Sequence, residues 1–288
     1  MTTKIKVIIL CCDGLYQRYL IHRISQEYEL VGIVLRIEPN AKGSLLVRLI
    51  RYINPVKLIR YLQARFFMLG ETAKAAPLIS HLFYTDGKPP SLPADVPIIR
   101  AEDINSLAVV DFINKLRPDV VCVNGTNLLR EPMLNLIPNI PYGIINLHTG
   151  LSPYSRGGNC NLFMLLEKHP ELVGITIHHI DKGTDSGDII ISARPELEAG
   201  DNYAMIDAKT FRIGIDMLLV AIRQLIEGRA IRIKQWEAGK LFLRKTGYNY
   251  HPYLRLKVNR LLKKGIISDY LRDREKIDAK VKLIGEQH

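Results

Sequence analysis

Short apolar segments that alternate with amphipathic ones constrain the fold of this chain more than any other feature. At the amino terminus, residues 4–10 and 30–35 are predicted strands that enclose a predicted helix over 15–27, the β-α-β arrangement of a parallel sheet. Further strands are predicted at 97–99, 119–123, 143–148, 173–180 and 188–195, with helices between them and a long helix from about 203 to 227. Strands as short and apolar as VVCV suit a sheet covered on both faces. We therefore predict an α/β fold with a doubly wound, mostly parallel sheet.

Two segments lie outside this alternation and carry the positive charge of the chain. They are a predicted helical insertion at about 36–90 and an extension over 236–288, which leaves a body over 1–235. The formal net charge is +11; residues 36–76 hold eight basic and two acidic residues, and residues 240–288 hold thirteen and five. The remainder is therefore slightly acidic, so the charge describes the periphery rather than the body.

Both basic segments have the pattern of amphipathic helices. The apolar positions in the insertion are Leu45, Leu46, Leu49, Ile50 and Ile53, followed after the predicted helix start Asn54-Pro55 by Val56, Ile59, Leu62 and Phe66; those in the extension are Leu254, Val258, Leu261 and Leu262. We favour packing of these apolar faces on the body, with solvated basic faces. The alternative is a basic rim that attracts a polyanionic substrate or the membrane surface that carries it.

Length and composition exclude several classes of protein. A chain of 288 residues, 47% of them hydrophobic, can bury a large core. Its apolar runs are far shorter than the roughly 20 residues that span a bilayer, and residues 1–6 lack the order of a signal peptide. The four cysteines form no CxxC pair, so we expect reduced core cysteines, no metal site and a cytoplasmic protein.

Ligands of open α/β sheets bind beyond the carboxyl ends of the strands. We therefore expect the functional residues in the loops that follow Leu10, Val123 and Leu147. The first of these turns reads CCDGLYQRYL and lacks the G-x-G-x-x-G of a dinucleotide site. The third follows Asn146 and His148, which are two residues apart on a strand and therefore point the same way. An amide and an imidazole side by side can stabilise one developing oxyanion.

The segment DKGTDSGD places Asp181, Asp185 and Asp188 in a Gly-rich loop between two strands. A carboxylate delivered from this loop could orient His148 and accept a proton from an attacking nucleophile. An ordinary Asp/Gly hairpin turn is the other interpretation. Nearby, His178 and His179 are adjacent on a strand, and we expect one to be packed and the other peripheral.

Two stretches, NLHTGLSPYSRG and GITIHHIDKGTDSGDII, resemble the signature of the N10-formyltetrahydrofolate-dependent formyltransferases, over about residues 118–230. This family includes glycinamide ribonucleotide, methionyl-tRNA and sugar amine formyltransferases. The resemblance implies a formyltransferase-like Rossmann variant and makes 1–235 the catalytic domain. It also implies N10-formyltetrahydrofolate as co-substrate, with no metal.

The resemblance implies catalytic and binding roles for the residues at the matching positions of this sequence. Asn146 and His148 would stabilise the tetrahedral intermediate, and Asp185 would position His148 and relay protons. The implied folate-binding residues are Asn124, Gly125, Leu128, Leu129, Arg130, Ile180, Asp181, Gly183 and Thr184. For the amine substrate we expect contacts from Asp13, Gly14, Arg18, Ser152, Tyr154, Arg156 and Gly157.

Two differences between this sequence and the family pattern indicate which amine is the substrate. The glycinamide ribonucleotide enzymes carry a Gly- and Ser-rich phosphate loop where this chain has Cys11-Cys12-Asp13-Gly14. The tRNA enzymes add an oligonucleotide-binding barrel that the predicted helices of the extension cannot form. We therefore expect a small-molecule amine, an amino sugar linked to a nucleotide or a lipid, and no nucleic-acid partner. A ribonucleotide or tRNA formyltransferase, a formyl-folate hydrolase, a non-catalytic folate binder and a homodimer all stay open.

Overall fold

The computed structural model describes residues 4–38 and 55–285. Seven strands form one sheet in the order β3-β2-β1-β4-β5-β7-β8, and two short strands, β6 and β9, pair separately. The strands are β1 Lys6–Cys12, β2 Glu29–Arg36, β3 Ile98–Ala101, β4 Val120–Asn124, β5 Ile144–His148, β6 Ser155–Gly157, β7 Ile175–His179, β8 Ile189–Ala193 and β9 Lys240–Phe242. Within the large sheet, β7 runs antiparallel to β5 and to β8, and the other pairs are parallel. The predicted α/β, mostly parallel sheet is confirmed.

The α-helices of the described residues cover both faces of this sheet. They are α1 Leu15–Glu27, α2 Pro55–Phe83, α3 Leu107–Leu116, α4 Glu131–Leu134, α5 Cys160–Leu166, α6 Tyr203–Ile226, α7 Tyr253–Lys263, α8 Ile266–Arg272 and α9 Arg274–Asp278. Alternate residues of β1 point to opposite faces, so Ile9 packs with α1, α2 and α6 while Ile8 packs with α3 and α4. None of the described helices combines the length and hydrophobicity that crossing a bilayer requires.

The carboxyl-terminal segment packs closely on the body. Val258 and Leu262 of α7 share a hydrophobic cluster with residues of α5 and α6, which confirms the apolar face predicted for this helix. Further on, the Ile284 N–H donates to Ser192 Oγ at 2.7 Å, beside β8. A domain boundary near residue 235 stays a prediction, but the segment beyond it is part of the same packed structure.

The described part of the insertion contains one long helix, α2, whose orientation differs from the prediction. Val56, Ile59, Leu62 and Phe66 are exposed, so the prediction that this apolar face packs on the body is wrong. In the first part of α2 the buried side instead carries Ala64 and Glu71, whereas Ile79 and Phe83 join the core near its end. Glu71 forms an ion pair with Arg255 of α7, which fixes that side inward. The predicted helix through Leu45 to Ile53 lies outside the described residues.

The strand pair β6 and β9 was not predicted. Ser155, Arg156 and Gly157 align with Lys240, Leu241 and Phe242. Neither three-residue segment has a period-two pattern long enough to indicate a strand, and the pairing joins positions far apart in the sequence. Its consequence is that the extension reaches the loop that follows His148.

Candidate active site

The candidate site is built on β5, near the middle of the sheet. Asn146 and His148 lie on the same face of this strand, and His148 is its last residue. In the antiparallel register between β5 and β7, Asn146 lies directly opposite His178, so all three side chains share one face. His148 and His178 are buried, with 6% and 1% of their surfaces exposed.

Asp185 reaches this face from the loop between β7 and β8. Its Oδ1 accepts a hydrogen bond from Asn146 Nδ2 at 3.1 Å, and its Oδ2 accepts one from the Gly157 N–H at 3.0 Å. Oδ2 also lies 3.5 Å from His148 Nδ1. The loop is tight where it returns to β8, because a Cβ atom on Gly187 would lie 1.8 Å from the His179 carbonyl oxygen. The loop therefore folds back closely against β7 and brings the Asp185 carboxylate next to Asn146 and His148.

The surroundings of Asp185 and His148 define their charge. Burial alone would raise the pKa of Asp185, but the neighbouring histidines and the Gly157 N–H hold that pKa well below its usual range. Burial lowers the pKa of His148 below 6.5, although the Asp185 carboxylate works against this. At neutral pH the site therefore holds an ionised carboxylate beside a neutral imidazole.

Sequence reasoning missed His178 as a site residue. Its Nδ1 donates to the His179 carbonyl at 2.8 Å, because a carbonyl oxygen can only accept, and its Nε2 lies 3.5 Å from Asp185 Oδ1. Asn146 Nδ2 donates to that Nε2 at 3.1 Å, which fixes the orientation of the amide. The expectation that one of the two histidines is peripheral is wrong, because His179 is also buried. Side chains alternate between the two faces of β7, and pairing β7 with β5 at Asn146 would have placed His178 on the same face as Asn146.

Cys160 contacts the site without sharing its chemistry. Its Sγ lies 3.5 Å from His148 Nε2. Burial is the main cause that raises the pKa of this thiol well above its usual value, and the charge of Asp185 adds to it. The thiol therefore stays protonated, in agreement with the expectation that it is not an activated nucleophile.

A cavity of about 480 Å³ opens in front of these groups. It is lined on one side by the loop after β4 and on the other by the loop after β7. Most of the predicted folate-binding residues lie in its wall: Asn124, Gly125, Leu128, Leu129, Ile180, Asp181, Gly183 and Thr184. Gln17, Leu243 and Lys245 also line it and were not predicted.

Two of the predicted folate-binding residues have other contacts. Asn124 is buried, accepts from Gln17 Nε2 at 2.7 Å and donates to the Leu147 carbonyl at 2.8 Å, so its amide joins α1, β4 and β5. Arg130 is not in the cavity wall; its N–H donates to Asn105 Oδ1 at 2.6 Å at the start of α4. Asn105 also donates to the Leu128 carbonyl at 3.1 Å. These hydrogen bonds stabilise the conformation of the loop after β4 and are not directed towards a ligand.

Of the residues predicted to contact the amine substrate, Gly157 is the one that lines the main cavity. Asp13 and Arg18 pair with each other at 2.7 Å on the surface, next to Gly14. Ser152 is buried, and its N–H donates to Thr176 Oγ1. Tyr154 Oη accepts from the Lys282 N–H at 2.7 Å, and Arg156 donates to the Ala238 carbonyl at 2.5 Å. Tyr154 and Arg156 are thus bound by the carboxyl-terminal segment, whose position the sequence did not reveal.

A second, smaller cavity of about 230 Å³ shares Thr149, Asn159 and Phe211 with the main cavity. Its remaining wall consists of Asn161, Tyr203, Asp207, Tyr250 and Arg255. Burial raises the pKa of Asp207 to about 6, with Arg255 acting in the opposite direction. Within the described residues this carboxylate has no hydrogen bond or ion pair. The second cavity therefore offers a free acceptor among aromatic rings, next to the candidate catalytic groups.

Comparison with known proteins gives a consistent result. A family model described as formyl transferase matches residues 79–222, half of the chain. Methionyl-tRNA formyltransferase of Akkermansia muciniphila is 30% identical over 145 residues, which cover 50% of this chain and 45% of that protein. The chain thus spans about half the length of the curated relatives it matches.

Two solved structures share the fold. Glycinamide ribonucleotide transformylase 1 from Symbiobacterium toebii superposes with a TM-score of 0.53 at 20% identity, covering 82% of this chain and 95% of that one. Phosphoribosylglycinamide formyltransferase from Anaplasma phagocytophilum superposes with a TM-score of 0.51 at 14% identity, covering 83% and 99%. At these identities the likeness shows the architecture alone.

Proposed function

The chain belongs to the formyl transferase family, and on that premise we propose that it transfers a formyl group from N10-formyltetrahydrofolate to a primary amine. The observation that carries the proposal is the convergence of Asn146, His148 and Asp185 on one edge of the main cavity. Amide and imidazole donors beside an ionised carboxylate are what acyl transfer to an amine requires.

The main cavity fits the pterin end of a folate. Its wall combines apolar side chains, such as Leu129 and Ile180, with the polar edges of two loops. Asn127 lines it as well, and its Oδ1 is buried without a hydrogen-bond partner in the described part of the chain. A pterin has a flat apolar face and a donor-rich edge, so it could satisfy this oxygen.

The proposed roles follow from the positions of the side chains. When bound, N10-formyltetrahydrofolate supplies an activated formyl group. Asn146 Nδ2, whose two hydrogens bond Asp185 Oδ1 and His178 Nε2 in the free site, exchanges one of these partners for the carbonyl oxygen as it gains negative charge. The His148 ring adds positive charge beside that oxygen when it takes up a proton during the reaction. Asp185 Oδ2 accepts the proton that the attacking amine loses as the new C–N bond forms, and its 3.5 Å separation from His148 Nδ1 lets the ring share that proton. The proton is then passed to the N10 nitrogen as the bond between the formyl carbon and N10 breaks and tetrahydrofolate leaves. His178 is a positioning residue, because it orients the Asn146 amide.

For the acceptor we propose an amino sugar, linked to a nucleotide or a lipid, with its sugar ring in the second cavity. The Asp207 carboxylate can accept hydrogen bonds from neighbouring hydroxyls, and the rings of Tyr203, Tyr250 and Phe211 offer apolar faces. Asp13, Arg18, Tyr154 and Arg156, which we expected to bind the acceptor, have other partners. Asp207 and Tyr250 take their place in the proposal.

A second candidate acceptor is methionyl-tRNA, because the curated relatives matched by this chain carry that activity in their names. The described part of the extension holds one short strand, β9, and the helices α7, α8 and α9. It does not supply the strands of an oligonucleotide-binding barrel. Formylation of methionyl-tRNA in a direct assay would distinguish this acceptor from the amino sugar.

A panel of amines tests these proposals. Purified protein is incubated with N10-formyltetrahydrofolate and a nucleotide-linked amino sugar, glycinamide ribonucleotide, methionyl-tRNA or no amine, and tetrahydrofolate release is measured. We expect release with the amino sugar alone. Release with glycinamide ribonucleotide or the tRNA instead would overturn the acceptor proposal, release without any amine would indicate a hydrolase, and no release in any arm would indicate a binding protein.

The Asp207→Asn variant tests the second cavity separately. We expect KM for the amino sugar to rise about tenfold with kcat nearly unchanged, because the carboxylate contributes to binding and does not touch the reacting atoms. Asp188→Asn is the matched control, since Asp188 pairs with Arg232 outside both cavities. Equal KM values for the two variants would remove Asp207 from the acceptor site.

A further inference from the structure

The outer face of the first half of α2 exposes large apolar side chains. Ile59, Leu62, Phe66 and Leu69 are 54%, 53%, 81% and 64% exposed. Their spacing of three, four and three residues places them in one stripe along the helix. The opposite face holds Ala64 and Glu71, which are buried against the protein. A surface helix of a water-soluble body normally buries such a stripe, so its outward orientation indicates a binding surface.

Positive charge flanks this stripe. Arg65 lies beside Leu62 and Leu69 on the helix surface, is exposed, and forms no ion pair within the described residues. The sequence from Pro55 to Phe83 contains a single acidic residue, Glu71, and that residue is buried and paired with Arg255. The outer face of α2 is therefore apolar along its centre, with the positive charge of Arg65 beside it.

The adjacent helix α7 extends the basic surface. Tyr61, Arg65, Met68, Leu69 and Thr72 of α2 line a shared groove together with Pro252, the residue before α7. The helix α7 contains no acidic residue. Its exposed basic side chains are Lys257, Arg260 and Lys263, none of which forms an ion pair in the described part of the chain. We call the outer faces of α2 and α7 the α2/α7 surface.

We propose that the α2/α7 surface docks on an anionic lipid bilayer, with α2 lying in the interface and its apolar stripe inserted among the acyl chains. An apolar stripe between basic residues is the pattern of interfacial helices, in which apolar burial and attraction to anionic headgroups act together. The proposal places α2 along the interface, and no helix of the described residues is long and apolar enough to cross a bilayer. The proposal is independent of the acceptor.

Two other occupants fit the surface less well. An RNA would satisfy the basic residues, but it would leave Ile59, Leu62 and Leu69 against a charged backbone, and Phe66 is the one aromatic ring in the stripe. A second copy of this chain would cover the stripe only by bringing two surfaces of the same positive charge together. An anionic bilayer satisfies both the charge and the apolar area.

Vesicle flotation with the full chain tests the proposal. The probes are phosphatidylcholine vesicles with and without phosphatidylglycerol, at low and high salt. We expect the protein to float with the anionic vesicles at low salt, and less so at high salt. The double variant Phe66→Ser/Leu69→Ser should bind about tenfold more weakly or worse at unchanged charge. Arg65→Gln should bind about fivefold more weakly, because it removes one positive charge beside the stripe.

Matched controls lie on the opposite face of the sheet. Leu107 is 75% exposed on α3, and Lys115 is exposed on the same helix. Leu107→Ser and Lys115→Gln should bind vesicles as the unmodified protein does, and all variants should keep its melting temperature. Absence of flotation, or flotation that survives the Phe66/Leu69 change, overturns the proposal. So does a mobility shift with RNA without flotation, or a dimer that the Phe66/Leu69 change dissociates.

Discussion

At the scale of single residues, the candidate site depends on one carboxylate held by several donors. Asp185 accepts from Asn146 and from the Gly157 N–H, and lies within 3.5 Å of both His148 and His178. Such a network fixes the positions of the reacting groups before substrate binds. It also explains why His178 belongs to the site although it need not touch the substrate.

The first prediction concerns Asp185. Replacing it by asparagine should keep the fold but lower kcat by about 100- to 1,000-fold, because the charged proton acceptor is lost. Formyl transfer to the best acceptor of the panel is the measurement. Asp188→Asn, in the same loop, should retain near-normal kcat, and equal losses in the two variants would contradict the role of Asp185.

The second prediction concerns the charge of His148. Because burial lowers its pKa, the imidazole should titrate below pH 6.5 in an NMR titration of the folded protein. Asp185 favours the charged ring, so the Asp185→Asn variant should titrate at a still lower pH. A titration that moves upward in this variant would show that the carboxylate is not acting on His148.

At the scale of elements, the pairing of β6 with β9 determines how the loop after β5 is held. Ser155 begins β6, and its carbonyl accepts from His148 Nε2 at 3.3 Å. Beside this pair, Gly239 has a φ of +54°, and a Cβ atom there would lie 1.7 Å from the Pro153 carbonyl oxygen. The carboxyl-terminal strand therefore supports the backbone that contacts His148.

The third prediction follows from this contact. Gly239→Ala should destabilise the protein and lower kcat, because the added methyl group collides with the Pro153 carbonyl and separates β9 from β6. Gly247→Ala is the control: its φ of +90° imposes backbone strain of about 1–2 kcal/mol, but its Cβ atom would meet nothing within 4 Å. Urea denaturation and kcat measure both effects. Equal loss of kcat in the two variants would contradict the support given by β9.

At the scale of the whole molecule, the insertion and the extension are joined to each other as well as to the body. Arg255 Nε lies 3.1 Å from Glu71 Oε2, and the Glu71 side chain is 1% exposed. Arg255 also stacks over the Tyr203 ring at 5.0 Å and lines the second cavity. One ion pair thus connects α2, α7 and the proposed acceptor site.

The fourth prediction tests this connection. Arg255→Met should lower the free energy of unfolding by about 3–5 kcal/mol, because it leaves the Glu71 carboxylate buried without a counter-charge. The double variant Glu71→Leu/Arg255→Met should recover much of that loss. Arg272→Met breaks an exposed pair with Asp269 and should cost less than about 1 kcal/mol. A double variant as unstable as the single one would contradict the ion pair's role.

The sequence by itself determined the features that depend on local order. Period-two and helical patterns are set by neighbouring residues, so the sheet, most helices and the shared face of Asn146 and His148 could be predicted. The position of Asp185 was inferred from a motif, because hydrophobic periodicity does not predict the conformation of a loop. The apolar positions of α2 can also be read from the sequence, but the prediction that they pack on the body was wrong.

Tertiary structure alone decided which of these residues meet. His178 joins the site through the β5–β7 register, Asp207 faces a cavity that α6 and α7 enclose, and the extension pairs with β6. It also decided which side of α2 faces outward. The amphipathic pattern identifies the apolar stripe of α2, but the Glu71–Arg255 ion pair and the buried Ala64 determine which side of the helix packs on the body. Contacts between residues far apart in sequence depend on the whole packing, and no local pattern contains them.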